Sequence, residues 1–211
     1  MDANFWHQKW QTNEIGFHQP EGNPLLVAHF SQLNLAPGSR IFVPLCGKTR
    51  DIAWLLGQGY CVVGAELSAI AVEQLFADLG VQPTRVEFGH CVLYRAPHVD
   101  IFVGDIFALT HLMLGKVDAI YDRAALVALP AALRKFYSAH LIDITARAAQ
   151  LLICFEYDQN ALPGPPFSIP ADEINQHYQK YYALTQLQQV PVAGGLKGVC
   201  AANEVVWLLK N

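Results

Sequence analysis

Ile41-Phe42-Val43-Pro44-Leu45-Cys46-Gly47-Lys48-Thr49, followed by Cys61-Val62-Val63-Gly64-Ala65-Glu66, is the passage on which the fold turns. Each stretch opens on a short aliphatic run and breaks at a turn residue, and a helical pattern over Arg50 to Gln58 lies between the two. The same alternation continues. Strands are expected at Arg40 to Val43, Cys61 to Glu66, Asp100 to Gly104, Ala119 to Tyr121 and Leu151 to Glu156. Further helices are expected at Ala69 to Leu79, Phe107 to Leu114 and Ala131 to Ala149. Runs such as Leu151-Leu152-Ile153-Cys154-Phe155 are apolar on both faces, which places them inside a parallel sheet covered by helices on either side. The expectation is an α/β fold with a doubly wound, mostly parallel sheet. Leu184 to Val190 and Cys200 to Leu209 are joined by a connection too short for a crossover helix, so they should form an antiparallel hairpin at the sheet edge.

A chain of 211 residues suits one domain, with residues 1–39 as an extension before the α/β core of residues 40–211. The extension holds two patterned stretches, Phe5 to Trp10 and Pro24 to Leu33, around Gly16-Phe17-His18-Gln19-Pro20. On residues alone it fits equally a lid over a site and a helical plug on the sheet.

The composition excludes several classes. With 53% hydrophobic and 15% charged residues the chain is globular, and no apolar run approaches the roughly 18 residues of a membrane span. A net charge of −4, with no lysine-arginine cluster, leaves no footprint for nucleic acid. The first residues lack the basic and apolar segments of a secretion signal, and the five cysteines are scattered without a C-x-x-C pair. A cytoplasmic protein is expected, acting as a monomer on a small molecule. The eight histidines show no tight ligand spacing, so no metal is expected.

Ligands of doubly wound sheets bind beyond the carboxyl ends of the strands. After the first strand, Cys46-Gly47-Lys48-Thr49 resembles part of a phosphate-binding loop, but Phe42 stands where that motif needs its first glycine. No G-x-G-x-x-G is present either. Glu66 ends a strand of small and apolar residues, where a carboxylate can accept hydrogen bonds from both ribose hydroxyls. A ribose-binding acid without a pyrophosphate cradle points to S-adenosylmethionine rather than NAD. After the third strand, Asp105 either reaches an exocyclic amine or only caps a helix, and Ile106 could pack on a purine face. After the fourth, Asp122-Arg123 offers either a cation suited to an anionic acceptor or a surface ion pair. Gly164-Pro165-Pro166-Phe167, after the fifth, is a stiff turn that either walls a pocket or caps the sheet.

Taken together these pieces resemble the thiopurine S-methyltransferase family. The matching segments are Trp6 to Trp10, Gly16 to Gln19, Val43 to Lys48, Val62 to Ser68, Asp122 to Leu126 and Gly164 to Phe167, in order along nearly the whole chain. The resemblance implies a class I S-adenosylmethionine-dependent methyltransferase fold with residues 1–39 as an N-terminal lid. It implies that Trp10, Leu45, Glu66, Ile106 and Arg123 line the cofactor site, with Phe17 and Arg123 toward the acceptor. The implied reaction is methyl transfer to aromatic or heterocyclic thiols, thiopurines among them, with selenium and tellurium compounds added for bacterial members. The turn that amino-directed methyltransferases carry after the fourth strand, Asn/Asp-Pro-Pro-aromatic, is missing. Gly194-Gly195-Leu196-Lys197 replaces bulkier residues of larger members, which leaves Lys197 as a candidate second cation.

No catalytic general base is evident. An ionised thiol attacking a sulfonium methyl needs positioning and desolvation instead. Two rival readings share the sheet: an NAD-linked oxidoreductase, disfavoured by the missing glycine fingerprint, and a catalytically silent adenosylmethionine-binding module.

Overall fold

The structure is a computed structural model that describes residues 3–15 and 21–211. Its centre is a nine-stranded sheet. In chain order the strands are β1 (Arg40–Pro44), β2 (Cys61–Glu66), β3 (Thr84–Phe88), β4 (Cys91–Ala96), β5 (Val99–Val103), β6 (Ala119–Arg123), β7 (Ala149–Tyr157), β8 (Ala183–Pro191) and β9 (Ala202–Lys210). The spatial order is β3-β4-β5-β2-β1-β6-β7-β9-β8. Strands β5, β2, β1, β6 and β7 run parallel, with β1 in the middle, so their carboxyl ends share one edge.

The parallel core and the β8–β9 hairpin agree with the sequence reading. The antiparallel pair β3–β4 at the opposite edge was not anticipated. Every residue of β3 is exposed, with Arg85 and Glu87 alternating with Val86 and Phe88. A strand with little burial has a weak apolar signature, and its existence depends on pairing with β4.

Among the described residues, seven α-helices cover the sheet: α1 (Ala3–Gln11), α2 (Pro24–His29), α3 (Asp51–Gly57), α4 (Ala69–Leu79), α5 (His111–Leu114), α6 (Ala131–Ile144) and α7 (Ala171–Tyr178). On one face Phe42, Val63, Phe102, Ile120 and Leu152 pack with Tyr137 and Leu141 of α6 and with Ile174 and Tyr178 of α7. On the other, Ile41, Val43, Val62, Ile101 and Leu151 pack with Leu25 and Leu26 of α2, Ile52 and Leu55 of α3, and Val72 and Leu75 of α4. Adjacent strand residues point to opposite faces, which divides the core into these two halves.

Two helices are shorter than expected. The segment expected as Phe107 to Leu114 is a 3-10 turn, Ile106–Ala108, followed by the single turn α5. Asp105 accepts from the Phe107 N–H and Thr110 from the Met113 N–H, so two caps start two short elements in place of one helix. Helix α6 stops at Ile144, where Thr145 donates its hydroxyl to the Leu141 carbonyl and Ala146 and Arg147 take φ of 51° and 63°. These left-handed residues turn the chain directly into β7.

The extension divides in two. Asn23 caps α2 by accepting from the N–H groups of Leu25 and Leu26, and Leu25, Leu26, Phe30 and Leu33 join the core. Helix α1 lies instead at the carboxyl edge of the sheet, against α4.

Candidate active site

The turn leaving β1 has unusual backbone: Leu45 has φ of 46° and Gly47 of 51°. The Leu45 conformation carries a strain that few aliphatic residues adopt. It is held by the Cys46 N–H, which donates to the Ala65 carbonyl of β2, and by packing of the Cys46 thiol over Gly64. A Cβ on Gly64 would come within 3.0 Å of that sulfur, so the glycine of β2 makes room for the turn of β1. At Gly47 a Cβ would stand 3.0 Å from the Trp10 ring. Trp10 is 4% exposed, so α1 is seated on the turn through this side chain.

Glu66 joins the turns. One carboxylate oxygen accepts the Gly47 N–H and the other the Ser68 N–H, both at 2.8 Å. The residue is 6% exposed; burial pushes its carboxyl above the ordinary range, while the N–H donors pull it back. Each oxygen retains a further acceptor position. The Glu66 carbonyl also accepts from the Gly104 N–H, which brings the end of β5 alongside. There Asp105 is an exposed cap, and Ile106 is buried, its carbonyl 2.8 Å from His140 Nε2.

At the end of β6 the pair Asp122-Arg123 is split between the two faces. Asp122 is 0% exposed, accepting from the Tyr137 hydroxyl at 2.7 Å and from the Leu126 N–H. Burial raises its carboxyl to about 6. Arg123 is half-buried and forms no ion pair with the described acids, so the surface-pair alternative does not hold. Next to it Ala124 takes φ of 65°. Leu45, Glu66, Ile106 and Arg123 thus stand at the carboxyl ends of four neighbouring strands, with Trp10 over the central turn. Phe17 lies outside the described residues.

The contributions of Tyr121, Asp51 and Asn23 were not legible beforehand, whereas Lys197 was a candidate cation. Tyr121 donates its hydroxyl to buried Asp51 at 2.9 Å, and the other oxygen of Asp51 accepts the Asn23 N–H. This network fixes the start of α2 to β6. Lys197, with φ of 53°, donates to the Pro165 carbonyl at 2.8 Å and so fastens the β8–β9 loop to the turn after β7. A hollow of about 520 Å³ lies beneath that loop, lined by Glu156, Tyr157, Gln189 and Asn203 among others. Its lining comes from β7, β8, β9 and their connection, and does not include Trp10, Glu66 or Arg123. Among the described residues no group of three or more His, Cys, Asp or Glu could hold a metal ion.

A sequence model described as "Thiopurine S-methyltransferase (TPMT)" matches residues 1–211. The chain belongs to that family. Relatives so named include one from Xanthobacter autotrophicus, 57% identical with both chains fully covered. Another, from Teredinibacter turnerae, is 50% identical over 100% of this chain and 98% of its own. The fold is that of class I S-adenosylmethionine-dependent methyltransferases. The Burkholderia thailandensis 1,6-didemethyltoxoflavin-N1-methyltransferase superposes with a TM-score of 0.67 at 14% identity, covering 99% of this chain and 87% of that one. Magnesium protoporphyrin IX methyltransferase from Synechocystis, solved with S-adenosylhomocysteine, gives 0.64 at 12% identity with full coverage of both. As a member of the family the chain is an S-adenosylmethionine-dependent methyltransferase.

Proposed function

We propose that this enzyme methylates the sulfur of aromatic and heterocyclic thiols, thiopurines among them, and extends to selenium and tellurium compounds. The observation that carries the reading is the Glu66 carboxylate, held at the end of β2 by the Gly47 and Ser68 N–H groups beneath Trp10. A fixed acid beside a turn that lacks a side chain suits an adenosine with no pyrophosphate. Trp10, Leu45, Glu66, Ile106 and Arg123 would hold the cofactor, and Phe17 and Arg123 would face the acceptor. Bound there, S-adenosylmethionine supplies a methyl group already activated by its sulfonium.

The chain's own contribution is position and electrostatics. Arg123, without a carboxylate partner among the described residues, offers its fork to an ionised thiol or to a carboxylate on the acceptor. Trp10 excludes water from the turn at Gly47, which strengthens every charge interaction nearby. No general base is assigned. Asp122 is turned into the core toward Tyr137, so it does not face the site. Helix α1 would act as the lid of a single domain. All five cysteines are free thiols, which supports a reducing, cytoplasmic setting, and we take the working unit to be a monomer on a small acceptor, with neither nucleic acid nor membrane as partner.

The test is transfer of labelled methyl from S-adenosylmethionine by purified enzyme to benzenethiol, 6-mercaptopurine, selenite and tellurite. Turnover is expected with the aromatic thiols. Tight S-adenosylhomocysteine binding without transfer to any thiol would replace this reading with that of a silent binding module.

A further inference from the structure

The turn Gly164-Pro165-Pro166-Phe167, between β7 and α7, is fastened along its whole length. The Pro165 carbonyl accepts from Lys197 Nζ, the Pro166 carbonyl from the Tyr157 hydroxyl at 2.7 Å, and the Phe167 N–H donates to the Val127 carbonyl at 2.7 Å. The Phe167 ring lies so close over Gly164 that a Cβ there would come within 2.5 Å of it. The guanidinium carbon of Arg134 stands 5.7 Å from the centroid of that ring.

Arg134 comes from α6 and is buried. Its Nε and Nη2 grip the two oxygens of Glu173 on α7 at 2.5 and 3.0 Å, and its Nη1 donates to the Leu129 carbonyl at 2.9 Å. His177 Nε2 lies 3.2 Å from the same carboxylate. One planar fork therefore ties α6, α7, the segment leading away from Arg123, and the aromatic ring of the turn. Buried ion pairs add little net stability over apolar residues of the same size, because desolvation offsets the attraction. Their distinct product is direction: a bidentate fork fixes where its neighbours stand. The segment it fixes, Val127–Leu129, accepts from Phe167 at one end and from Arg134 at the other, and it begins a few residues after Arg123.

We propose that Arg134 is a positioning residue for the acceptor. Acting through Phe167, it sets the aromatic wall in register with the Arg123 cation and so favours flat aromatic thiols over aliphatic ones. The inference rests on the thiol-methylating reading of the site. A loosened wall would lose the contact that only a ring can make, and an aliphatic thiol would lose little.

The experiment compares kcat/KM for benzenethiol with that for 2-mercaptoethanol in the wild type, Arg134→Lys, Phe167→Leu and the double variant, alongside the Kd of S-adenosylhomocysteine by calorimetry. Arg134→Lys is expected to lower the aromatic-to-aliphatic ratio about tenfold, since a point charge cannot reproduce the fork, with the Kd changed less than about twofold. If Arg134 acts through Phe167, the double variant falls no further than Phe167→Leu alone. Should Arg134→Lys fold poorly, Glu173→Gln loosens the same fork from the other side and should lower the ratio about threefold. An unchanged ratio in folded variants, or effects that multiply in the double variant, would overturn the inference while leaving thiol methylation intact. A wild type that methylates neither thiol would overturn both.

Discussion

The Gly47 N–H donates to the Glu66 carboxylate at 2.8 Å across a sequence separation of 19 residues, making the turn after β1 and the end of β2 one rigid piece. Trp10 rests on the same glycine. A single backbone N–H thus sits between the acid proposed to read the ribose and the helix proposed to close over it, and changes on either side of it should be felt on the other.

Gly47→Ala places a methyl 3.0 Å from the Trp10 ring at a φ of 51°. The strain should cost about 1 kcal/mol of stability, and displacement of Trp10 should weaken S-adenosylhomocysteine binding roughly tenfold. Thermal melts and calorimetric titration would show both; a stability loss with unchanged affinity would take Trp10 out of the site.

Glu66→Ala should weaken cofactor binding by about 2 kcal/mol, the scale of hydrogen bonds to a charged acceptor. It also strands the N–H groups of Gly47 and Ser68, so some stability goes with it. Glu66→Gln keeps an acceptor oxygen and should lose less of each. An unaltered dissociation constant in folded Glu66→Ala would remove the residue from the binding site.

Arg123→Lys should reduce kcat/KM for a carboxylate-bearing aromatic thiol such as 2-mercaptobenzoate about tenfold, because the ammonium offers no bidentate geometry. Benzenethiol, which has no carboxylate, should suffer less. Steady-state kinetics with both thiols separates the outcomes, and wild-type rates with both would deny Arg123 a role at the acceptor.

Asp122 should make stability fall as pH rises. Its carboxyl titrates near 3.8 when unfolded and at about 6 in the fold, so between these values the native state holds the extra proton. Its favourable contribution is complete below about pH 4 and is lost as pH passes 6, an effect of about 3 kcal/mol. Asp122→Asn, able to keep partners at Tyr137 and Leu126, should therefore gain on the wild type by that order between pH 4 and 7. Denaturant titrations across this range test it, and a pH-independent difference would show that Asp122 does not titrate there.

Helix α1 should gain hydrogen-exchange protection when S-adenosylhomocysteine is bound, if it serves as a lid. Residues 3–15 are the segment to follow. Equal protection with and without the ligand would make α1 a plug fixed by Trp10.

What the sequence determined by itself was local. The strand Cys61–Glu66 and helix Ala69–Leu79 fell at their observed bounds, because a buried aliphatic run and an amphipathic pattern with Ser68 at its cap are written in consecutive residues. The carboxyl ends of the strands, where ligands of such sheets bind, were equally legible once the strands were known. Tertiary structure alone decided the rest. Strand β3 exists through its pairing with β4, and the start of α2 is held by an aspartate that also binds Tyr121. Alternation along β6 sends Asp122 into the core and leaves Arg123 half-buried at the strand's carboxyl end, although the two are neighbours in the chain. Lys197 meets Pro165, and Arg134 meets Glu173 and Phe167, across separations that no periodicity records. Such contacts arise when distant segments converge on one edge of a sheet, and there the identity of a residue says less than what folding sets beside it.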